Sequence, residues 1–180
     1  MFRNISIALI LVVVTSSSAG AIGSSRRGIT IGGSIGYAPI IAWDRTVDGK
    51  GGPSTGPTTS IMLGYGVDDR NTFVFEGTTA HAIGNSVNMN FTGVRWYAFA
   101  RTSAPSSFFA CGLGWSSLVT DEDASVFNVI IGDSVNLPAA TIGFGYEPVR
   151  WQLIGLYVNA GRQEGFTLVN VSLMFTIMAY

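Results

Sequence analysis

Few residues in this chain could do chemistry. The only histidine is His81, with Glu76 and Ser86 close to it in sequence. A carboxylate, an imidazole and a hydroxyl are the parts of acyl-transfer catalysis, which needs the base oriented by the acid and facing the nucleophile. No compact His-x-Ser motif occurs, however, and His81 stands at a predicted strand end beside a loop at Ala82 to Asn85, where an exposed loop histidine is the simpler reading. Cys111 is the only cysteine. It cannot form an internal disulfide, and one Cys with one His builds no metal site. In Phe109-Ala110-Cys111-Gly112-Leu113 it reads as a small apolar strand residue. Gly143-Phe144-Gly145 lies within a strand pattern with no helix after it, so it fails the context of a phosphate-binding loop. No cofactor is implied. The remaining pair is Glu76 and Arg95, the only opposite charges placed well inside predicted strands.

The elements that must position these residues are strands. The chain has 180 residues, 47% hydrophobic and 12% charged, with 23 glycines and a net charge of −1, and a mean hydropathy of +0.38. That charge content is about half the usual share for a soluble domain. Near-neutrality gives no basic footprint for nucleic acid. After the first twenty residues no apolar run approaches the roughly 20 residues of a spanning helix, because Gly, Ser, Thr or Asn interrupts at every second position. The N-terminus reads as a secretory signal: Arg3, an apolar stretch from Ile5 to Val14, then Ala19-Gly20-Ala21 as a cleavage site. Residues 1–21 are therefore expected to be removed, leaving a single domain over 22–180, and no cysteine near the site suggests a lipid anchor.

Eight segments alternate between apolar and small polar residues. They are Gly28 to Ile41, Thr58 to Val67, Asn71 to Ala80, Ser86 to Phe99, Ser107 to Val119, Ala139 to Tyr146, Trp151 to Asn159 and Phe166 to Tyr180. Met62 breaks the pattern of the second. In the fourth, Val87, Met89 and Phe91 share a phase that would put Arg95 on the apolar face, so a bulge at Gly93 is expected to turn Arg95 inward. The seventh is apolar on both faces, with Trp151, Leu153 and Tyr157 on one and Ile154, Leu156 and Val158 on the other, and the alternation leaves open which of them faces lipid. Connections at Asp68 to Arg70, Arg101 to Pro105 and Glu147 to Arg150 are tight. Those at Trp43 to Pro57 and Asp121 to Pro138 are long, the asymmetry of barrels with periplasmic turns and external loops.

Charge placement separates a membrane barrel from a soluble one. Nearly every charge after residue 27 falls in a predicted loop, turn or rim. A charge facing the bilayer midplane costs roughly 2–4 kcal/mol, which explains that exclusion, whereas a soluble barrel could not expose faces of Ile, Leu, Phe and Trp. The expected fold is an all-β, closed, antiparallel up-and-down transmembrane β-barrel of eight strands with a narrow lumen filled by side chains. Both termini of the mature chain are expected on the turn side.

From Arg27 to Tyr180 the chain resembles the small eight-stranded bacterial outer-membrane β-barrel families, OmpA-like or OmpW-like. The resemblance rests on the alternation, on Tyr65-Gly66-Val67-Asp68-Asp69-Arg70, on Gly93-Val94-Arg95-Trp96-Tyr97 and on the aromatic-ended last strand. It implies export to the Gram-negative outer membrane, a surround of lipids and lipopolysaccharide, and a last strand read by the barrel-assembly machinery. The chain leaves no room for the peptidoglycan-binding domain that OmpA-type proteins often carry. The leading expectation is a non-enzymatic, monomeric envelope protein, structural or surface-interacting, with Glu76 and Arg95 as a lumen ion pair. A transport rival would pass a small hydrophobic molecule along Ile154, Leu156 and Val158. An enzyme rival would use His81 to modify lipid, by resemblance in size and residue types to membrane-embedded lipid A deacylases.

Overall fold

A computed structural model describes residues 25–44, 53–81, 87–120, 136–163 and 166–180. The predicted signal peptide and cleavage site lie outside them, as does Ser86. Eight strands follow one another: β1 (Gly28–Asp44), β2 (Pro53–Gly66), β3 (Asn71–His81), β4 (Val87–Phe99), β5 (Ser106–Thr120), β6 (Asn136–Val149), β7 (Gln152–Gln163) and β8 (Phe166–Ala179). Each pairs antiparallel with the next, and β1 pairs with β8 to close the barrel. The strands beside both long connections extend further than the alternation suggested, to Asp44, from Pro53 and from Asn136.

The register sets the barrel's dimensions. Paired residues run from Ile31 through Leu63, Phe75, Val94, Leu113, Ala140, Ala160 and Val169, and return to Ile41. The circuit closes ten residues along β1 (41 − 31 = 10). With eight strands and ordinary strand spacings, that stagger corresponds to a tilt of about 40°. Such a barrel has room inside for side chains and little else.

Alternation decides which side chains fill that room. Ile29, Ile31 and Ile35 of β1 point out and are exposed, while Thr30, Ser34 and Ala38 point in and are buried. The same division holds in β2, β3, β5, β6 and β8, with the faces the sequence assigns. Met62 points inward and is buried. One strand departs from expectation. No bulge occurs at Gly93: β4 pairs without interruption with β3, from Asn71↔Ala98 to His81↔Asn88, and with β5. Met89, Phe91, Arg95, Tyr97 and Phe99 therefore share one inward, buried phase. Arg95 points inward as expected, but Met89 and Phe91 join it rather than facing lipid. The physical reason is space: their neighbours on the inner wall are small, with Phe91 paired to Thr78 and Ser116 and Gly93 paired to Gly114. A Cβ at Gly114 would sit 2.6 Å from the Gly93 Cα.

The structure also settles the phase of β7, which the alternation leaves open. Leu153 and Tyr157 are buried in the lumen, and Ile154 is 46% exposed on the outer wall, with Leu156 and Val158 on its phase. Glycines again decide the matter. A Cβ at Gly143 would lie 2.3 Å from the Tyr157 ring, and one at Gly155 2.8 Å from it, so the ring occupies the volume these residues leave vacant. The lumen is consequently richer in large side chains than the expected Gly, Ala, Ser and Thr lining. Among the described residues one register shift is present, between Tyr146 and Val149 of β6 where it pairs with β7.

The inward assignment of Phe91 carries a measurable consequence. Truncating a buried phenylalanine costs about 3–5 kcal/mol, mostly through the cavity left behind. Phe91→Ala is expected to destabilise the barrel on that scale in a urea titration in detergent or lipid, and more than Phe75→Ala on the outer wall. Equal, small losses would return Phe91 to the lipid face.

Candidate functional site

Among the described residues, most buried polar and charged side chains lie in the lumen. Its centre holds Glu76 of β3 and Arg95 of β4, which sequence reasoning paired and which the structure brings together: Arg95 Nη1 lies 2.7 Å from Glu76 Oε2, and both side chains are buried. They are not cross-strand partners, since Glu76 pairs with Gly93 and Arg95 with Val74. The missing side chain of Gly93 leaves the inner wall open at that point. Around the pair, Thr78 donates to Glu76 Oε1 at 2.8 Å. Arg95 donates to the Tyr97 hydroxyl, Thr141 Oγ1 and Asn159 Oδ1 at 3.4, 3.1 and 3.3 Å. Its guanidinium also stands 4.6 Å from the centre of the Tyr157 ring, a cation–π contact. Donors from β4 to acceptors on β6 and β7 make Arg95 a strut across the lumen.

A second buried pair was not legible. Arg26 precedes β1, and its Nη2 reaches Glu147 Oε2 near the end of β6; both side chains are fully buried. The alternation places Glu147 in a tight turn and assigns Arg26 no role. Arg26 Nη1 donates to the carbonyls of Asp69 and of Arg101, the latter at 2.9 Å, and the guanidinium lies 4.0 Å from the Phe99 ring centre. Two glycines admit this arrangement. Gly28 adopts φ +104°, a conformation L side chains rarely reach. A Cβ at Gly66 would lie 1.6 Å from the Arg26 carbonyl oxygen. The Arg26-Arg27 doublet ahead of a strand offered a weak signal, but nothing local announced which arginine would turn inward.

Outside the wall, Asp69 in the β2–β3 turn secures the same segment. Its carboxylate accepts from Ser25 Oγ at 2.8 Å and the Arg26 amide at 3.0 Å, with Arg27 Nε at 3.4 Å and Arg150 Nη1 at 3.7 Å. The Ser25 and Arg26 hydrogen bonds hold the Asp69 carboxyl below its ordinary value of 3.8, with Arg27 and Arg150 adding in the same direction. Asp68 is held low in the same way, first by the Asn71 side chain and then by the Arg70 amide.

From turn end to loop end, the lumen is filled in layers. Above Arg26 and Glu147 come Tyr97, Phe99, Phe108, Leu153 and Met178. The Glu76–Arg95 network follows, beside hydroxyls of Ser34, Ser60 and Thr176 linked at 2.8 Å. Asn159 then donates to Asn170 at 3.3 Å. Ala38, Ala80, Met89, Leu137 and Leu168 form an apolar cluster at the loop end.

His81 ends β3 on the outward phase, exposed, with Nδ1 3.0 Å from Asn88 Oδ1. Glu76 points the other way, into the lumen. The wall of the barrel thus separates the two residues that a catalytic reading would need together. Cys111 is half-buried on the outward phase of β5. Among the described residues no group of three metal-ligating side chains is present.

Two expectations follow. Breaking a buried ion pair by removing one partner typically costs about 3–5 kcal/mol, because the survivor is left uncompensated. Glu76→Ala and Arg95→Ala should each destabilise by about that much, and the double variant should recover a large part of the loss. Unfolding titrations of the four proteins measure the coupling, and additive losses would mean the pair contributes nothing. For Asp69 the folded carboxyl titrates below the unfolded one, so its contribution is present above pH 3.8 and is lost as pH falls through the lowered folded value. Amide-exchange protection at Arg26 should therefore be retained at neutral pH and diminish below pH 3.8. In Asp69→Asn that step should be absent.

No family model matches the sequence, and no curated protein matches it. Solved structures do. Neisserial surface protein A superposes with a TM-score of 0.59 at 13% identity, over 84% of this chain and 96% of that one. Ail of Yersinia pestis, in complex with the heparin analogue sucrose octasulfate, gives 0.48 at 13% identity over 84% and 99%. The outer membrane protein OprG from Pseudomonas aeruginosa gives 0.46 at 13% identity over 89% and 99%. At such identities the likeness is one of fold, and the chain shares with Neisserial surface protein A the closed, eight-stranded antiparallel barrel.

Proposed function

We propose that this chain is a bacterial outer-membrane protein whose barrel is a closed, non-enzymatic anchor that carries its loops at the cell surface. The observation that carries the reading is the filled lumen: two buried ion pairs and the aromatic layers between them occupy the axis from Arg26 to Tyr157. A wall with Leu113 74% exposed and Phe144 63% exposed is suited to hydrocarbon and ill suited to water. In this reading the barrel is a monomer surrounded by outer-membrane lipids and lipopolysaccharide, inserted by the barrel-assembly machinery through β8. Its role in the envelope is structural or surface-interacting.

The two rivals lose the observations that motivated them. Passage of a small hydrophobic molecule relied on Ile154, Leu156 and Val158 lining the lumen, and these face outward. Lipid modification through His81 needs an acid to orient the imidazole, and the carboxylate nearest in sequence lies inside the wall. Planar-bilayer recordings test the closed barrel directly. The purified protein should insert without stepwise conductance, and removing Arg26 with Arg95 should be the change that introduces it. Reproducible unitary currents from the unaltered protein would overturn the proposal.

A further inference from the structure

The apolar belt on the outer wall is not of even height. On β8 it runs from Ile177 to Val169, and on β1 from Ile29 to Tyr37. Eight residues at about 3.3 Å each and a tilt of about 40° correspond to roughly 20 Å along the barrel axis. On β3 the outward apolar residues are Phe73 and Phe75, after which Gly77, Thr79 and His81 follow on the same phase. That stretch spans roughly 5 Å on the same reckoning. On β2 the belt stops at Ile61 and gives way to Thr59; on β4 it stops at Val94 and gives way to Thr92.

Strand stagger does not account for the difference. The circuit climbs ten residues over eight strands, so each step between neighbours climbs about one and a quarter residues. With that correction, Ile61, Phe75 and Val94 reach no higher than Ile35, whereas Val169 lies well above Tyr37. The lower edge varies less, with Ile29, Tyr65, Phe73, Tyr146 and Ile177 within about three residues of one another. Leaning the whole barrel would tip both edges together and cannot level a belt whose upper edge slopes more steeply than its lower edge.

Resting on the membrane-spanning reading above, we propose that the outer face of β2–β4 is a surface for lipid headgroups, where the loop-end leaflet is drawn down and the bilayer is locally thinned. Threonine hydroxyls at 59, 79 and 92 meet headgroups and their water there. On the opposite side, β7, β8 and β1 keep acyl chains at full height. Hydrophobic mismatch is known to be relieved by local bilayer deformation, and here the deformation is confined to one sector of the wall.

Thr79 and Val171 make the test direct, because the stagger places them within about half a residue of the same height on different sides. In a Cys111→Ala background, Thr79→Cys and Val171→Cys each take one fluorophore, and the labelled proteins are folded into phosphatidylcholine vesicles. The label at Thr79 should be quenched severalfold more by a headgroup-borne quencher than by one deep on the acyl chain, and the label at Val171 should show the reverse. Equal acyl-chain quenching at both would mean a level belt and would overturn the proposal. A label at Thr79 shielded from both quenchers and from aqueous iodide would overturn it in favour of polypeptide covering the sector. Failure of acyl-chain quenching at Val171 would instead remove the membrane reading itself, and this proposal with it. As an independent arm, Thr59→Leu, Thr79→Leu and Thr92→Leu combined should shift the acyl-chain length of greatest stability upward. An unchanged optimum would count against the thinning.

Discussion

Inside hydrocarbon a backbone amide has no water to fall back on, and each unsatisfied group there costs several kcal/mol. The pairing of β1 with β8 is therefore the contact on which everything else in this protein depends. It removes the last free edge, and it does so with a stagger of ten residues that sets both tilt and radius. The radius in turn dictates how much side-chain volume the lumen must hold. Closure and filling are one problem, because the wall can adopt this diameter only if the interior is occupied without overlap.

The filling shows how that problem is solved. Bulky inward residues are matched against glycines on neighbouring strands: Tyr157 against Gly143 and Gly155, and Phe108 beside Gly145. The charged groups that such a space traps are paired with one another. Arg95 reaches a carboxylate, two hydroxyls, an amide oxygen and an aromatic face from a single guanidinium. Arg26 performs a similar task at the turn end, tying Glu147 and two backbone carbonyls beneath the last aromatic layer. Each of these buried guanidiniums is matched by one buried carboxylate. The outcome is a lumen packed with side chains along its axis.

Much of this architecture could be read from the residue order. Alternation with period two, the scarcity of charge within the segments, and the rhythm of tight and long connections together specify eight antiparallel strands with one apolar face toward lipid. Those features are local, and membrane solvation acts on each strand in the same way, so each strand carries its own record of it. The faces of β1, β2, β3, β5, β6 and β8 followed directly. The encounter of Glu76 with Arg95 was also foreseeable, since two isolated opposite charges on adjacent strands have few other partners within a narrow tube.

What only the tertiary structure decided is the content of the lumen. Inward positions answer to volume and not to polarity, so Phe91 and Met89 or Leu153 and Tyr157 can point inward on strands whose other face is equally apolar or even polar. The deciding residues are glycines and small side chains on different strands, brought opposite by the register. No single segment contains that information. The Arg26–Glu147 pair has the same origin: the two residues are separated by 121 positions and meet because barrel closure carries the start of the chain beneath the end of β6. Composition and period determine the wall of a barrel because lipid reads each strand separately, whereas its interior is settled by packing among all eight.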